Sequence, residues 1–171
     1  HGRLAFGTVE SWLTFKLSGG AHISDASNAS RTMLLPLEGA SWDDGLCTLF
    51  GVPQAALPEV CDNAGDLART APEWFGRAIP ITGMAGDQQA ATLGQSCLAP
   101  GDTKATYGTG AFVLANTGTV PPRSRNRLLS TVLCQLAGKR YYALEGSVFV
   151  AGSLIQWLRD SLGLIARADE T

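Results

Sequence analysis

Two motifs that follow one another between residues 79 and 110 constrain this chain more than any other feature. In the first, a short apolar strand at 79–82 leads to a carboxylate, Asp87, which is preceded by glycines and opens a helix. In the second, a strand at 103–107 ends in the glycine turn at 107–110. A carboxylate at a helix start, beside a turn that a phosphate can approach, is what phosphoryl transfer to a hydroxyl requires. The pair therefore predicts a phosphotransfer site.

Composition and charge exclude several classes of protein. With 45% hydrophobic and 16% charged residues, the chain has the composition of a globular protein and not of a disordered one. The net charge of −2 gives no electrostatic basis for binding nucleic acid or an anionic membrane. No apolar run reaches the roughly 20 residues that span a bilayer. We therefore predict a cytoplasmic protein with no nucleic-acid or membrane partner.

The four cysteines lie far apart and form no C-x-x-C pair, which favours reduced thiols over a disulfide framework. They are Cys47, Cys61, Cys97 and Cys134.

The first hundred residues contain two predicted helices. One covers 9–17, with Thr8 as its cap and glycines at its end, and the other covers 41–51. Residues 62–78 show the least pattern and contain glycine and proline, so we predict a surface loop there.

After residue 101 the pattern changes to strands rich in Thr, Tyr, Val, Phe and Leu. The predicted strands are 103–107, 111–116, 129–136 and 140–144. A helix is predicted over 148–163, with one apolar face that would pack across the strands. Strands with tight turns followed by such a helix predict an α/β fold.

Asp87 has a structural alternative, because an aspartate before a helix also caps it, at about 1 kcal/mol. Against simple capping, Gly83 and Gly86 clear space around the carboxylate, and Gln88 and Gln89 add amides that can bond a polyol. The local sequence leaves both interpretations open.

The turn at 107–110 likewise has two interpretations, a plain β-hairpin or a phosphate contact. Its glycines allow backbone N–H groups to meet phosphate oxygens, and Thr109 adds a hydroxyl. The third glycine of a dinucleotide-binding G-x-G-x-x-G motif is replaced by Val113, and the chain has no P-loop motif.

The G-D-Q-Q and T-Y-G-T-G motifs, in this order, resemble those of the FGGY carbohydrate kinases, and within that family those of the members that phosphorylate glycerol. The stretches 25–35, 142–147 and 151–160 follow the same pattern. The resemblance implies a ribonuclease-H-like (actin-like ATPase) fold. Residues 1–96 would be the end of the N-terminal kinase domain and 101–171 the start of the C-terminal one, so that the chain would be an internal piece, about the middle third, of a kinase.

The resemblance also implies roles for individual residues. Asp87 would be the general base, would contact the substrate and would reach a metal ion through water. Gln88 would bind substrate hydroxyls, Phe112 would lie against the carbon skeleton, and four residues would contact nucleotide: Thr109, Gly110, Gly152 and Gln156. The implied cofactors are ATP and Mg²⁺, in a cleft with Asp87 on one wall and Thr109 on the other.

The implied activity is ATP-dependent phosphorylation of glycerol by a full-length, homo-oligomeric kinase. Met84, Gln88 and Phe112 favour glycerol, and the alternative within the family is another polyol or a sugar. An alternative of another class is a non-catalytic fragment or binding module. We expect the 171-residue piece alone to be inactive, because the resemblance implies that it lacks the first-domain hairpin that would face the phosphates.

Overall fold

The computed structural model describes residues 4–39 and 41–171. Its first helix, α1 (Val9–Ser18), ends at Gly19, whose φ of 75° lies in the left-handed region that favours glycine. The predicted helix over 9–17 is confirmed. The side chains that α1 buries are the small polar ones of Ser11 and Thr14, whereas Trp12 is exposed.

The first half of the chain continues as short elements around two small sheets. β1 pairs in parallel with β2, and β3 pairs antiparallel with β4. In chain order the elements are β1 (Ile23–Asp25), α2 (Ala26–Ala29), α3 (Asp44–Leu49), β2 (Glu59–Cys61), β3 (Ala64–Arg69), α4 (Pro72–Phe75), β4 (Pro80–Gly83) and α5 (Asp87–Gly94).

The predicted loop over 62–78 is wrong, since β3 and α4 lie within it. β3 has mostly exposed residues on both faces, so it lacks the apolar–polar alternation by which a strand is recognised. The helix predicted over 41–51 is shorter than expected. Asp43 caps it by accepting the backbone N–H of Leu46 at 2.8 Å, and α3 therefore begins at residue 44.

The second half forms a four-stranded antiparallel sheet in the order β5-β6-β8-β7, followed by α6 (Gly152–Asp160). The strands are β5 (Thr103–Tyr107), β6 (Ala111–Gly118), β7 (Leu129–Leu136) and β8 (Lys139–Val148). All four predicted strands are confirmed. β8 extends to Val148 because its last residues pair with Phe112 and Ala111, so α6 begins at 152 and not at 148.

No residue of α6 is buried, and the apolar side chains of Leu154 and Trp157 are 43% and 49% exposed. The predicted packing of this helix across the strands is therefore wrong. Its N-terminus instead contacts the turn that follows β5, as described below.

The two halves meet where α2 lies against β7. Ala26 packs with Val132 and Tyr142 in one apolar cluster. Beside it, Arg31 donates two hydrogen bonds to the buried carboxylate of Glu145, at 2.7 and 3.1 Å. A planar guanidinium matches a carboxylate in this way, which satisfies a charge that burial would otherwise penalise.

A second junction is built around Asp25, which is 0% exposed. Its carboxylate accepts hydrogen bonds from the backbone and side chains of Ser27 and Asn28, and from Asn63 Nδ2 at 2.8 Å. Asn63 also donates to Met84 O at 2.8 Å and accepts from Gln135 N at 2.8 Å. Asp25 thus joins four parts of the chain in one network. They are β1, the residue before β3, the segment before α5, and also β7.

Asp25→Ala is expected to lower the free energy of unfolding of the chain by about 3 kcal/mol or more, because it leaves several buried donors without an acceptor. The matched control is Asp43→Ala, which removes the partly exposed cap of α3 and should cost about 1 kcal/mol. Urea denaturation followed by circular dichroism measures both. Equal losses for the two variants would contradict the importance assigned to the Asp25 network.

Candidate functional site

Asp87 is the first residue of α5, and its side chain is exposed. Among the described residues, its carboxylate accepts hydrogen bonds only from Gln88, from the backbone N at 2.8 Å and from Nε2 at 3.4 Å. Asp25 and Asp43, in contrast, each lie one residue before a helix and accept N–H groups two or three residues ahead. Asp87 therefore does not have the geometry of these caps, and its carboxylate faces solvent.

The segment before Asp87 is fixed by buried hydrogen bonds. Gly86 N donates to Ser27 Oγ at 3.0 Å, and Met84 bonds Asn63 through both its backbone N–H and its carbonyl. A Cβ at Gly86 would lie 2.5 Å from Gln89 Oε1, so a side chain there would displace the buried amide of Gln89. Gly86 thus serves close packing, whereas a Cβ at Gly83 would make only ordinary contact, 3.8 Å from Asn63 O.

Met84, which was expected to favour glycerol as the substrate, does not line the space beside Asp87. It is buried, and its sulfur accepts a hydrogen bond from Thr14 Oγ1 at 3.1 Å. Because Met84 is directed towards α1, it forms no wall for a substrate.

Lys104 is a site residue that the sequence analysis missed. It lies on β5, is only 4% exposed, and its ammonium group donates to Gln88 Oε1 and to Thr106 Oγ1 at 2.7 Å. Burial lowers the pKa of Lys104, and the nearby carboxylates of Asp87 and Glu145 oppose that shift. The one signal in the sequence is the alternation of β5, which places 104 and 106 on the same face.

Phe112 lies on β6 directly opposite Thr106 of β5, with Ser147 of β8 on its other side. Directly paired residues share a face of a sheet, so half-buried Phe112 is on the same face as Lys104 and Thr106. Gln88 contacts Lys104 of this face, and Asp87 precedes Gln88 at the start of α5. That Asp87, Gln88 and Phe112 form one substrate site stays a prediction.

The turn after β5 docks onto the start of α6. Gly152 N donates to Gly108 O at 2.9 Å, and Thr109 O accepts from Ala151 N at 2.9 Å and Ser153 N at 3.2 Å. Added Cβ atoms at Gly110 and Gly152 would lie 2.6 and 2.5 Å from backbone oxygens, so both positions require glycine. Thr109 remains exposed on this turn.

The predicted nucleotide contacts thus fall into one group. Thr109, Gly110 and Gly152 are neighbours, and Gln156 is exposed one turn further along α6. The N–H groups of Gly152 and Ser153 are already bonded to the turn, so the exposed hydroxyl of Thr109 is the more accessible donor for a phosphate.

The described residues contain no cluster of three or more His, Cys, Asp or Glu side chains that could hold a metal ion by themselves. Magnesium is commonly bound through one or two carboxylates, waters and substrate phosphates. The exposed carboxylate of Asp87 fits that mode of binding.

The cysteine thiols are poor candidates for catalysis. Burial, with Asp25 and Asp62 nearby, raises the pKa of Cys61 to about 12, and burial also raises the pKa of Cys134. All four cysteines are free.

Within the part of the chain that the structure describes, no helix has the length and apolar character needed to cross a membrane.

Gly152→Ala is expected to separate the turn from α6 and to cost about 1–3 kcal/mol of stability, because the new methyl group meets a backbone oxygen. Gly94→Ala is the matched control, since a Cβ at Gly94 meets nothing within 4 Å. Denaturant unfolding of both variants measures the difference. If Gly152→Ala were as stable as Gly94→Ala, the close contact with Gly108 would not constrain the turn.

Family models match both halves of the chain. The N-terminal domain of the FGGY family of carbohydrate kinases matches residues 3–94, and the C-terminal domain of that family matches residues 103–171. The chain is 58% identical to a glycerol kinase of Methylobacterium nodulans over 99% of its length, and 57% identical to one of Rhodopseudomonas palustris over all of it. It spans about a third of those relatives, 34% in each case.

Solved structures give the same result for the fold. The chain matches a glycerol kinase of Plasmodium falciparum solved with ADP, with a TM-score of 0.91 and 37% identity, over 97% of this chain and 34% of that one. A xylulose kinase of Rhodospirillum rubrum matches with a TM-score of 0.73 at 22% identity, over 91% of this chain and 32% of that one, which supports the fold alone. The predicted α/β, actin-like fold is confirmed.

Proposed function

This chain belongs to the FGGY family of carbohydrate kinases, and we propose that a full-length kinase carrying it transfers the γ-phosphoryl group of ATP to glycerol. The observation that carries the proposal is the exposed carboxylate of Asp87, held on a buried frame beside the Lys104–Gln88 pair. The similarity to proteins named glycerol kinase supports glycerol as the substrate. Because the chain spans a third of those relatives, the activity is proposed for the longer protein.

In the proposed reaction Asp87 accepts the proton of a substrate hydroxyl as that oxygen bonds to the γ-phosphorus of ATP. The bond from phosphorus to the leaving oxygen breaks, and ADP departs with its electron pair. Gln88 orients the hydroxyl, and half-buried Phe112 packs against the carbon chain. Mg²⁺, reached from Asp87 through water, would neutralise charge on the phosphates.

We place the nucleotide phosphates against Thr109 and Gly110, with Gly152 and Gln156 on the adjoining helix. The docking of the turn onto α6 supports this placement, because it fixes Thr109 relative to the helix that carries Gly152 and Gln156. We further propose that residues 1–96 are the end of the N-terminal kinase domain and residues 101–171 the start of the C-terminal one, in a cytoplasmic homo-oligomer. A non-catalytic binding module is the second candidate function, and a lack of turnover by the full-length protein would favour it.

Asp87→Asn in the full-length kinase should lower kcat at least ~10²-fold while glycerol and ATP binding change only a few-fold, because the amide cannot accept the proton. Asp66→Asn is the control, since Asp66 is an exposed residue of β3 in a surface ion pair with Arg69. A coupled assay of ADP release measures both variants. An Asp87→Asn enzyme that keeps most of its kcat would contradict the role as base.

Glycerol should be preferred over xylulose and gluconate, because Phe112 presents an apolar surface suited to a short carbon chain while Gln88 offers few polar groups for a longer one. The test compares kcat/KM for the three compounds in the full-length kinase. A higher kcat/KM for xylulose would assign the protein to the alternative within the family, a kinase of another polyol or sugar.

A further inference from the structure

Lys104 is unusual because a lysine side chain is rarely buried, and a buried ammonium group needs partners that replace water. Its side chain leaves only 4% of its surface exposed, on the face of β5 that also carries Thr106. The groups that face it come from three elements, α5, β5 and β8, and they are Gln88, Asp87, Thr106 and Glu145.

The contact with Gln88 determines which way its amide faces. An ammonium group only donates hydrogen bonds, so it holds the carbonyl oxygen Oε1 of Gln88 towards itself. The amide nitrogen Nε2 is then directed to the other side, 3.4 Å from Asp87 Oδ2. Without Lys104, the two ends of the amide would be free to exchange places.

We propose that Lys104 is a positioning residue, which locks the Gln88 amide so that it presents N–H donors, and no acceptor, to Asp87 and the substrate. This inference rests on the proposed function. It deepens that function by assigning Gln88 the chemistry of a donor. A hydroxyl that accepts from Gln88 Nε2 through its oxygen is left to donate its own proton to Asp87, which is the direction that proton transfer requires.

The same lysine connects the two motifs of the site. It joins the start of α5 to β5, and β5 runs directly into the turn that carries Thr109. Lys104 is also paired directly with Leu114, which packs with Leu133 and Ala143, so a replacement should be apolar and of similar length, as methionine is. Loss of the ammonium group in such a variant should affect catalysis through Gln88.

The test is a double-mutant cycle in the full-length kinase, with the polyol or sugar that the wild type phosphorylates. Lys104→Met should lower kcat at least ~10-fold, and so should Gln88→Met. If Lys104 acts through Gln88, the double variant should have the same kcat as Gln88→Met alone, within about two-fold. Lys139→Met, at an exposed lysine of β8, is the control and should leave kcat unchanged.

Multiplied losses in the double variant would overturn the inference, because they would mean that Lys104 acts independently of Gln88. Gln88→Glu is a second test, which leaves Lys104 intact. It can therefore be carried out even if Lys104→Met does not fold. It keeps an acceptor for Lys104 but removes the N–H donors, so kcat should fall as far as in Gln88→Met. Retained activity in Gln88→Glu would also overturn the inference. If the wild type phosphorylates glycerol, the proposed function stands even when one of these two results overturns the role of Lys104.

Discussion

The buried carboxylate of Asp25 is the interaction on which the rest of this structure depends. An acid with no exposed surface is tolerated only where donors surround it, and here they come from Ser27, Asn28 and Asn63. Asn63 then carries the connection to Met84 and to Gln135 of the four-stranded sheet. One polar centre thus sets the relative positions of segments that are more than a hundred residues apart in sequence.

The candidate site depends on the Asp25 network, because the carboxylate of Asp87 is exposed while the hydrogen bonds that hold the preceding segment are buried. Asp87 sits at the end of a segment whose backbone is bonded to Ser27 and Asn63, so it is held in place without using its own carboxylate. Lys104 reaches Gln88 from β5, a strand of the four-stranded sheet. α5 and β5 therefore meet at Gln88, whose side chain contacts both the ammonium group of Lys104 and the carboxylate of Asp87.

Much of the fold could be predicted from local pattern, and the failures have physical causes. The strands of the four-stranded sheet were evident because each has the alternation or the β-branched content of a half-buried strand. β3 was missed because both of its faces are largely exposed, and the position of α6 was missed because its partner is a turn and not the sheet. The motif residues around Asp87 and Thr109 were recognisable, but Lys104 was not, because a buried lysine is identified only by what surrounds it. The roles of the motif residues stay predictions.

The docking of the glycine turn onto α6 has a consequence for how the motion of this region can be observed. The amide hydrogens of Ala151, Gly152 and Ser153 are held by carbonyls of the turn, whereas the first N–H groups of a helix ordinarily face water. Their exchange with solvent deuterium therefore requires the turn to detach from the helix. The exchange rates of these three amides measure how often Thr109 leaves its position, with no probe attached to the turn itself.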